Sequence, residues 1–413
     1  MKLVKYLDLN LTFNDPEIWV SGLREPGGLS YGEVLLKENR FNRLKDQMKE
    51  EMAEKFNAAL DSVETESQIG EKLDPLFEKM FKSYFISDEV NEDILLKKAN
   101  RNTLTAKLND WSRQCAENIE LVRRAPGIKI FHDRFKNVPC VIVASGPNLK
   151  NSIQKLKGLE KKCLIIALGP SMRPLVKRGI YPHFCNSHDA NGPNPQKGWG
   201  GGPKFFNGVD ASKTIGFFVN YVCPATVVSW KGRIVYYYVD DNSISTYKVM
   251  ALACDSKDRP DGSFMKSKII GGSCVAHTAM YAAINFGCNP ITLIGLDLSF
   301  PDKVNSHFES DNAKRLDNQK LIDVFDIQGR KLKTNLAMMS YKIVFERMTP
   351  AMIIMHGVKF FNSTQDENGK PCGTVHTGLE PLGLDKFIER YCAKEHDILS
   401  KHIELYDSYL KEK

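Results

Sequence analysis

The chain has 413 residues, of which 42% are apolar and 26% are charged, and its formal net charge is +7. This length predicts two or three structural units, and the composition is that of an ordinary soluble globular protein. The positive charge suits an anionic small-molecule substrate, but it is too diluted over this length to indicate a nucleic-acid-binding protein. We find no helix-turn-helix, RNP or zinc-finger pattern in the sequence.

The sequence predicts a cytoplasmic protein without a membrane span. No apolar run approaches the roughly 20 residues that are needed to cross a bilayer. The first residues are interrupted by Asp8 and Asn10 and do not form a signal peptide. Ten cysteines are scattered without metal-site spacing, and several of them lie in or beside apolar runs, including Cys140, Cys163, Cys185 and Cys288. We therefore expect them to be buried core residues in a reducing compartment.

The N-terminal part has the pattern of helices. Apolar residues recur at spacings of three to five over residues 31–63, and helical stretches follow at 69–85 and 104–124. A turn at Pro126 and Gly127 marks the expected boundary. We predict an N-terminal helical region over residues 1–127, a Rossmann-like domain over 128–393 and a C-terminal helix over 394–413.

The region from residue 138 to residue 189 has the strongest fold signal. Three short apolar runs, at 140–144, 163–168 and 183–187, alternate with two amphipathic stretches. This alternation is the β-α-β-α-β pattern of an open parallel sheet. The fold class predicted is therefore α/β, with a Rossmann-like, mostly parallel sheet.

The turn after the first run is Ser145, Gly146, Pro147 and Asn148. Glycine permits close backbone approach, and proline presets the first helical turn. This pattern predicts a helix N-terminus with free N–H groups at the carboxyl edge of the sheet, which suits a phosphate. Asp189 at the end of the third run would face the same crevice. The alternative is a tight strand-to-helix loop with no ligand.

A second α/β unit occupies residues 268–300. Gly271, Gly272 and Ser273 begin a helix rich in small residues, and a buried strand at 291–294 leads to Asp297. Its glycine-rich helix start and strand-end acid repeat the features of the first unit.

Weaker signals complete the predicted order. Strand-like runs occupy 214–219, 226–230 and 234–239, after a long irregular loop at 190–210 that could close over a ligand. Residues 301–332 have a polar, loop-like pattern that contains His307. A helix at 334–355, a strand at 358–362, a polar loop at 363–377 and the C-terminal helix complete the chain.

Five segments together resemble the MptE-like Rossmann family, historically a domain of unknown function, which includes the motility accessory factor (Maf) glycosyltransferases. They occur in the family's order over roughly residues 138–382. The segments are VIVASGPNL, ALGPSMRPLVKRGIYPHFCNSHD, GGSCVAHTAMYAAINFGCNPITLIGLDLSF, DIQGRKLKTNLAM and FFNSTQDENGKPCGT. Two positions depart from the family pattern: Asn148 replaces the usual serine, and residues 299–302 replace a polar Tyr-Thr-Asp-Gly segment.

The resemblance implies a nucleotide-dependent transferase, but the family has two branches. One branch is similar to sialyltransferases that use CMP-activated nonulosonic sugars, and the other to archaeal 6-hydroxymethyl-dihydropterin diphosphokinases that use ATP. The large helical N-terminal region favours the first branch, with CMP-sugar as substrate. The acceptor would then be a hydroxyl of a protein or a glycan.

Under the glycosyltransferase hypothesis, His307 is the general base, because it follows the strand that leads to Asp297 as the base does in sialyltransferase-like folds. The two residues form the candidate catalytic pair, and His307 could instead be an ordinary surface histidine. The candidate nucleotide-binding residues are Ser145, Gly146, Pro147, Asn148, Asp189, Gly271, Gly272 and Ser273. This hypothesis assigns no metal ligand and no certain cofactor besides the CMP-sugar substrate, and it leaves Mg²⁺ open.

Two alternatives remain open. In a diphosphokinase, Asp189 and Asp297 would hold Mg²⁺ against the ATP phosphates. The same acids could instead bind ribose hydroxyls or cap loops. A non-catalytic nucleotide- or sugar-binding module with a helical interaction region is the third hypothesis.

Overall fold

The computed structural model divides the chain into two compact units, Met1–Lys98 and Ala99–Lys413. The second unit contains nearly all of the described residues. The predicted helices at 31–63 and 69–85, and most of the predicted loop at 190–210, lie outside the described residues. The structure describes residues 92–188, 202–240, 268–270, 273–301, 307–309 and 321–411.

Within these described residues, nine parallel strands form one sheet, and two more form a separate antiparallel hairpin. The strands are β1 Cys140–Val143, β2 Leu164–Leu168, β3 Phe184–Ser187, β4 Ile215–Val219, β5 Arg233–Asp240, β6 Lys268–Ile270, β7 Ile291–Ile294, β8 Leu321–Phe325, β9 Lys331–Asn335, β10 Phe360–Asn362 and β11 Glu380–Pro381. Their order across the sheet is β11-β10-β7-β1-β2-β3-β4-β5-β6, and β8 pairs with β9 in the hairpin. The predicted α/β class with a mostly parallel sheet is confirmed.

Eight α-helices are described along the same part of the chain. They are α1 Glu92–Arg124, α2 Gly169–Lys177, α3 Gly202–Phe206, α4 Pro224–Ser229, α5 Val275–Asn285, α6 Leu336–His356, α7 Leu384–Tyr391 and α8 Ile398–Lys411. No helix among these is both long and apolar enough to cross a bilayer.

The central strands are buried because layers cover both of their faces. Every residue of β1 and β2 is buried, as expected for continuous apolar runs inside a parallel sheet. On one face, α5 lies across β1, β2 and β3. Its fully buried Ala279, Ala282 and Ala283 allow the helix to approach the strands closely. The four cysteines singled out in the apolar runs are all fully buried, as predicted.

The strand order reverses direction at β1. From β1 to β6 the chain steps outward in one direction, and it then returns to place β7 on the other side of β1. The chain therefore continues from β1 toward β2 and from β7 toward β10, on opposite sides of this strand pair. Open parallel sheets bind ligands at the carboxyl ends of two strands related in this way.

Two predicted elements take a different form. The run at 226–230 was predicted as a strand, but it belongs to α4, which begins at Pro224. Because β4 and β5 are parallel neighbours, the chain between them must cross back over the sheet, and a short helix makes that crossing. The stretch after β1 forms two 3₁₀ helices, Pro147–Asn151 and Ile153–Leu156, in place of a regular α-helix.

The polar region predicted as a loop at 301–332 contains a strand. Residues Leu321–Phe325 pair with Lys331–Asn335, and the two strands expose most of their side chains to solvent. Because a short hairpin on the surface buries little apolar area, its hydrophobic pattern in the sequence is weak.

His277, on the first turn of α5, is a core histidine, in line with its small-residue surroundings. Its side chain is fully buried, its ring centroid lies 3.9 Å from that of Phe345, and its Nδ1 lies 3.2 Å from Cys274 Sγ. Burial lowers the pKa of His277 to about 3. The folded protein therefore holds this imidazole neutral throughout the range in which an ordinary histidine takes up a proton.

The neutral His277 predicts a loss of stability in mild acid. Below pH 6.5 the unfolded chain binds a proton at this residue and the folded chain does not, so the free energy of unfolding falls as the pH falls toward the folded-state pKa. At pH 5 this contribution is about 2 kcal/mol. Urea unfolding at pH 7 and pH 5 should show a smaller loss for His277→Gln than for the wild type. The control His132→Gln, at a side chain that is 56% exposed, should behave as the wild type does, and equal losses in all three proteins would contradict the assignment.

Candidate functional site

Two turns meet at the carboxyl edge between β1 and β7. Gly146 N–H donates to Gly295 O at 2.8 Å, so the turn after one strand is bonded to the turn after the other. A Cβ atom on Gly146 would lie 2.1 Å from Asp297 Oδ2 and 2.6 Å from Gly295 O. Only glycine therefore allows this approach. The close approach predicted for Gly146 is thus made to the protein's own second turn.

Asn148 holds the carboxylate of Asp297 with two hydrogen bonds. The Asn148 backbone N–H donates to Oδ2 at 3.1 Å, and its side-chain Nδ2 donates to Oδ1 at 2.6 Å. Asp297 is only 2% exposed, and Asn148 is also buried. Hydrogen bonds to a buried carboxylate are among the stronger polar interactions in proteins, so this pair fixes the two turns relative to each other.

The predicted free N–H groups of the turn after β1 are not free, and that prediction is wrong. Gly146 N–H is bonded to Gly295 O, Asn148 N–H to Asp297, and Leu149 N–H to Gly146 O at 3.0 Å. The physical reason is that Asp297 itself brings a negative charge to the start of the 3₁₀ helix, where unpaired N–H groups attract an anion. The carboxylate thereby occupies the position that the sequence suggests for a phosphate.

Two residues of the loop after β10 also contact the Asn148–Asp297 pair. Cys372 Sγ lies 3.5 Å from Asn148 Nδ2, and Thr374 Oγ1 donates to the backbone oxygen of Asp297 at 3.2 Å. Burial, together with the charge of Asp297, raises the pKa of the Cys372 thiol well above its ordinary value. The thiol therefore stays protonated and is not a nucleophile. Cys372 and Thr374 were not found by sequence reasoning.

His307 joins the site through Ser145. Its Nδ1 lies 2.9 Å from Ser145 Oγ, and the next backbone N–H, from Phe308, donates to Ser145 O at 2.7 Å. Ser145 is 8% exposed, so this pairing is largely shielded from solvent. The Ser145 hydroxyl thus holds the Nδ1 side of the His307 ring.

Ser273 is the one other predicted site residue in the described part of the chain. Ser273 lies at the start of α5, where the carbonyl of the neighbouring Val275 accepts from Asn186 Nδ2 of β3 at 3.2 Å. Asp189, Gly271 and Gly272 lie outside the described residues. The structure thus brings together Ser145, Gly146, Pro147, Asn148, Asp297 and His307 and places Ser273 beside β3.

His188, beside the predicted Asp189, is paired within the protein. Its Nε2 is hydrogen-bonded to Tyr221 OH, and the two rings lie 5.3 Å apart. Burial lowers the pKa of His188 to about 4, so the imidazole is neutral near pH 7.

Two identical aspartate turns border the site. Asp326 Oδ1 accepts from the N–H groups of Gln328 and Arg330, and Asp366 Oδ1 accepts in the same way from Asn368 and Lys370. In both turns the glycine three positions after the aspartate has a positive φ, 78° at 329 and 75° at 369. The repeated Asp-x-x-Gly pattern could have revealed these turns in the sequence, because it combines a capping carboxylate with a residue suited to that backbone shape.

The first of these turns contains Arg330, whose guanidinium is held by two carboxylates. Arg330 Nε donates at 2.7 Å to Asp326, which is fully buried, and Arg330 Nη1 lies 3.6 Å from Asp366. The Arg330 side chain is nevertheless 43% exposed. Ile327 N–H donates to Gly373 O at 2.9 Å, which joins this turn to the segment that contains Cys372. The half-exposed guanidinium of Arg330 is therefore held by a turn that is bonded to the segment whose Cys372 contacts Asn148.

Comparison with known proteins supports the resemblance found in the sequence. Residues 113–303 match the family model described as "6-hydroxymethylpterin diphosphokinase MptE-like". The matched range includes β1 to β7 and both turns of the site, so the resemblance to the MptE-like family is confirmed over this part of the chain. No curated protein matches the sequence.

Among solved structures, the chain is similar to a Maf glycosyltransferase from Magnetospirillum magneticum AMB-1. The identity is 18%, and the TM-score is 0.46. The alignment covers 71% of this chain and 42% of the solved chain. The chain thus aligns with less than half the length of that protein.

Proposed function

We propose that this protein transfers a sugar, of the nonulosonic acid class, from a CMP-activated donor to an acceptor hydroxyl. The observation that carries the proposal is the Ser145–His307 pair, with 2.9 Å between Oγ and Nδ1, at the edge between β1 and β7. In this proposal His307 Nδ1–H donates to Ser145 Oγ, which puts the lone pair of a general base on Nε2. Its position at the point where the strand order reverses is where such sheets bind nucleotides.

In the proposed reaction, His307 accepts the proton of the acceptor hydroxyl. The acceptor oxygen forms a bond to the anomeric carbon, and the bond from that carbon to the phosphate oxygen breaks. CMP leaves with the bonding electrons. Because the leaving group is already a phosphate, the enzyme needs to hold the nucleotide and position the base, and it needs no strong acid.

In this proposal, side chains bind the negatively charged phosphate and carboxylate groups of the donor. The N–H groups of the turn after β1 are bonded internally, so they are poor candidates for a phosphate cradle. Arg330 is half-exposed and anchored beside the site by Asp326, which suits it to a phosphate or carboxylate of the donor. In this proposal Asp297 acts as a positioning residue, since both of its oxygens accept from Asn148.

Diphosphate transfer from ATP is the second candidate, and the description of the matching family model favours it. Such a reaction generally uses Mg²⁺ held by carboxylates. Asp297 does not fit that role as it is placed here. It is 2% exposed, and both of its oxygens already accept hydrogen bonds from Asn148. The second acid of this hypothesis, Asp189, lies outside the described residues.

Nucleotide binding distinguishes the candidates. Isothermal titration without divalent cations should show CMP binding, and CMP at 100 times its Kd should raise the free energy of unfolding by about 2.7 kcal/mol. ATP should bind weakly with or without Mg²⁺. Binding of ATP that requires Mg²⁺, without CMP binding, would overturn the proposal in favour of diphosphate transfer, and binding of neither nucleotide would contradict both.

Replacement of the proposed base should separate binding from turnover. His307→Ala should bind CMP as the wild type does, but its release of CMP from CMP-N-acetylneuraminic acid should fall by about 10²- to 10⁴-fold, the usual contribution of a general base. The matched control is His132→Ala, at an exposed histidine. Wild-type release rates in His307→Ala would remove this residue from the mechanism.

A further inference from the structure

We propose that Arg178, at the end of α2, is a positioning residue that holds His307 in place for transfer. This inference rests on the proposed function, in which His307 is the base. Residues 307–309 contact Ser145 on one side and Arg178 on the other.

Arg178 contacts the side chains of the two residues that follow His307. Its Nη2 forms an ion pair with Glu309 Oε1, and its guanidinium carbon lies 5.2 Å from the ring centroid of Phe308. The side chains of Arg178 and Glu309 are 22% and 33% exposed, so water screens this pair less than it screens a pair on the open surface. A guanidinium within about 6 Å of an aromatic centroid also gains a cation–π attraction.

Arg178 is itself anchored to the last turn of α2. Its Nη1 donates to Pro174 O at 3.0 Å, at the C-terminal end of α2, where a cation also interacts favourably with the helix dipole. The start of the same helix is tied to β1, because Ser171 Oγ donates to Val143 O at 2.7 Å. A rigid connection therefore runs from the central strand through α2 to Phe308 and Glu309.

One support of His307 thus follows β1 directly, and the other lies on α2, whose start is hydrogen-bonded to β1. Ser145 follows the strand directly and fixes the imidazole, and Arg178 fixes the backbone that carries it. Loss of Arg178 would leave the imidazole with its Ser145 contacts and a less constrained backbone. Because Arg178 is assigned no contact with the nucleotide, its loss should lower kcat and leave the KM for the donor unchanged.

The test compares Arg178→Met, Arg178→Lys and the control Arg173→Met. Methionine keeps the length of the side chain without its charge, and lysine keeps the charge. Arg173 lies on the same helix but donates to the carbonyls of Lys204 and Asn207. Two quantities are measured: hydrogen exchange of the Phe308 amide, and kcat and KM for release of CMP from CMP-N-acetylneuraminic acid.

Arg178→Met should speed exchange of the Phe308 amide at least 10-fold and lower kcat by about 10- to 100-fold, with an unchanged KM. Arg178→Lys should recover part of both effects, and Arg173→Met should match the wild type. Unchanged exchange at Phe308 in Arg178→Met would overturn the proposal, and so would faster exchange with a wild-type kcat. If the wild type itself released no CMP, the proposed function would fail, and the exchange result alone would decide whether Arg178 holds the segment.

Discussion

The hydrogen bonds from Asn148 to Asp297 are the interaction on which the rest of the site depends. They join the turn after β1 to the turn after β7 across the point where the strand order reverses. Around this contact Gly146 has no room for a side chain. Ser145, at the beginning of the first turn, is hydrogen-bonded through its Oγ to His307 Nδ1. The geometry of the candidate base is therefore set by a carboxylate that is itself held in the protein interior.

This interaction also changes how a nucleotide could be held. In many parallel sheets a phosphate rests on unpaired N–H groups at the start of a helix. Here the corresponding N–H groups are bonded to Gly295, Asp297 and Gly146. A phosphate of the donor would have to be recognised by side chains such as Arg330.

Sequence patterns predicted the sheet well, because apolar runs such as β1, β2 and β7 are buried on both faces and carry a strong signal. The surface hairpin β8–β9 and the helix α4 were missed or misassigned because connections on the surface are governed by chain geometry more than by hydrophobicity. At the site, Asn148, Asp297 and His307 lie together, whereas Ser273 lies beside β3, and the internal partners of the turn after β1 were not predicted. Whether a turn bonds to a ligand or to a distant carboxylate depends on contacts between residues about 150 positions apart, such as Asn148 and Asp297, and no local pattern encodes them.

A double-mutant cycle on Asn148 and Asp297 tests the central claim most directly. Free energies of unfolding in urea would be compared for the wild type, Asn148→Ala, Asp297→Ala and the double variant. Since the side-chain amide donates to a buried carboxylate, the account predicts a coupling energy of at least about 1.5 kcal/mol. Additive effects, within about 0.5 kcal/mol, would contradict the claim that this contact holds the two turns together.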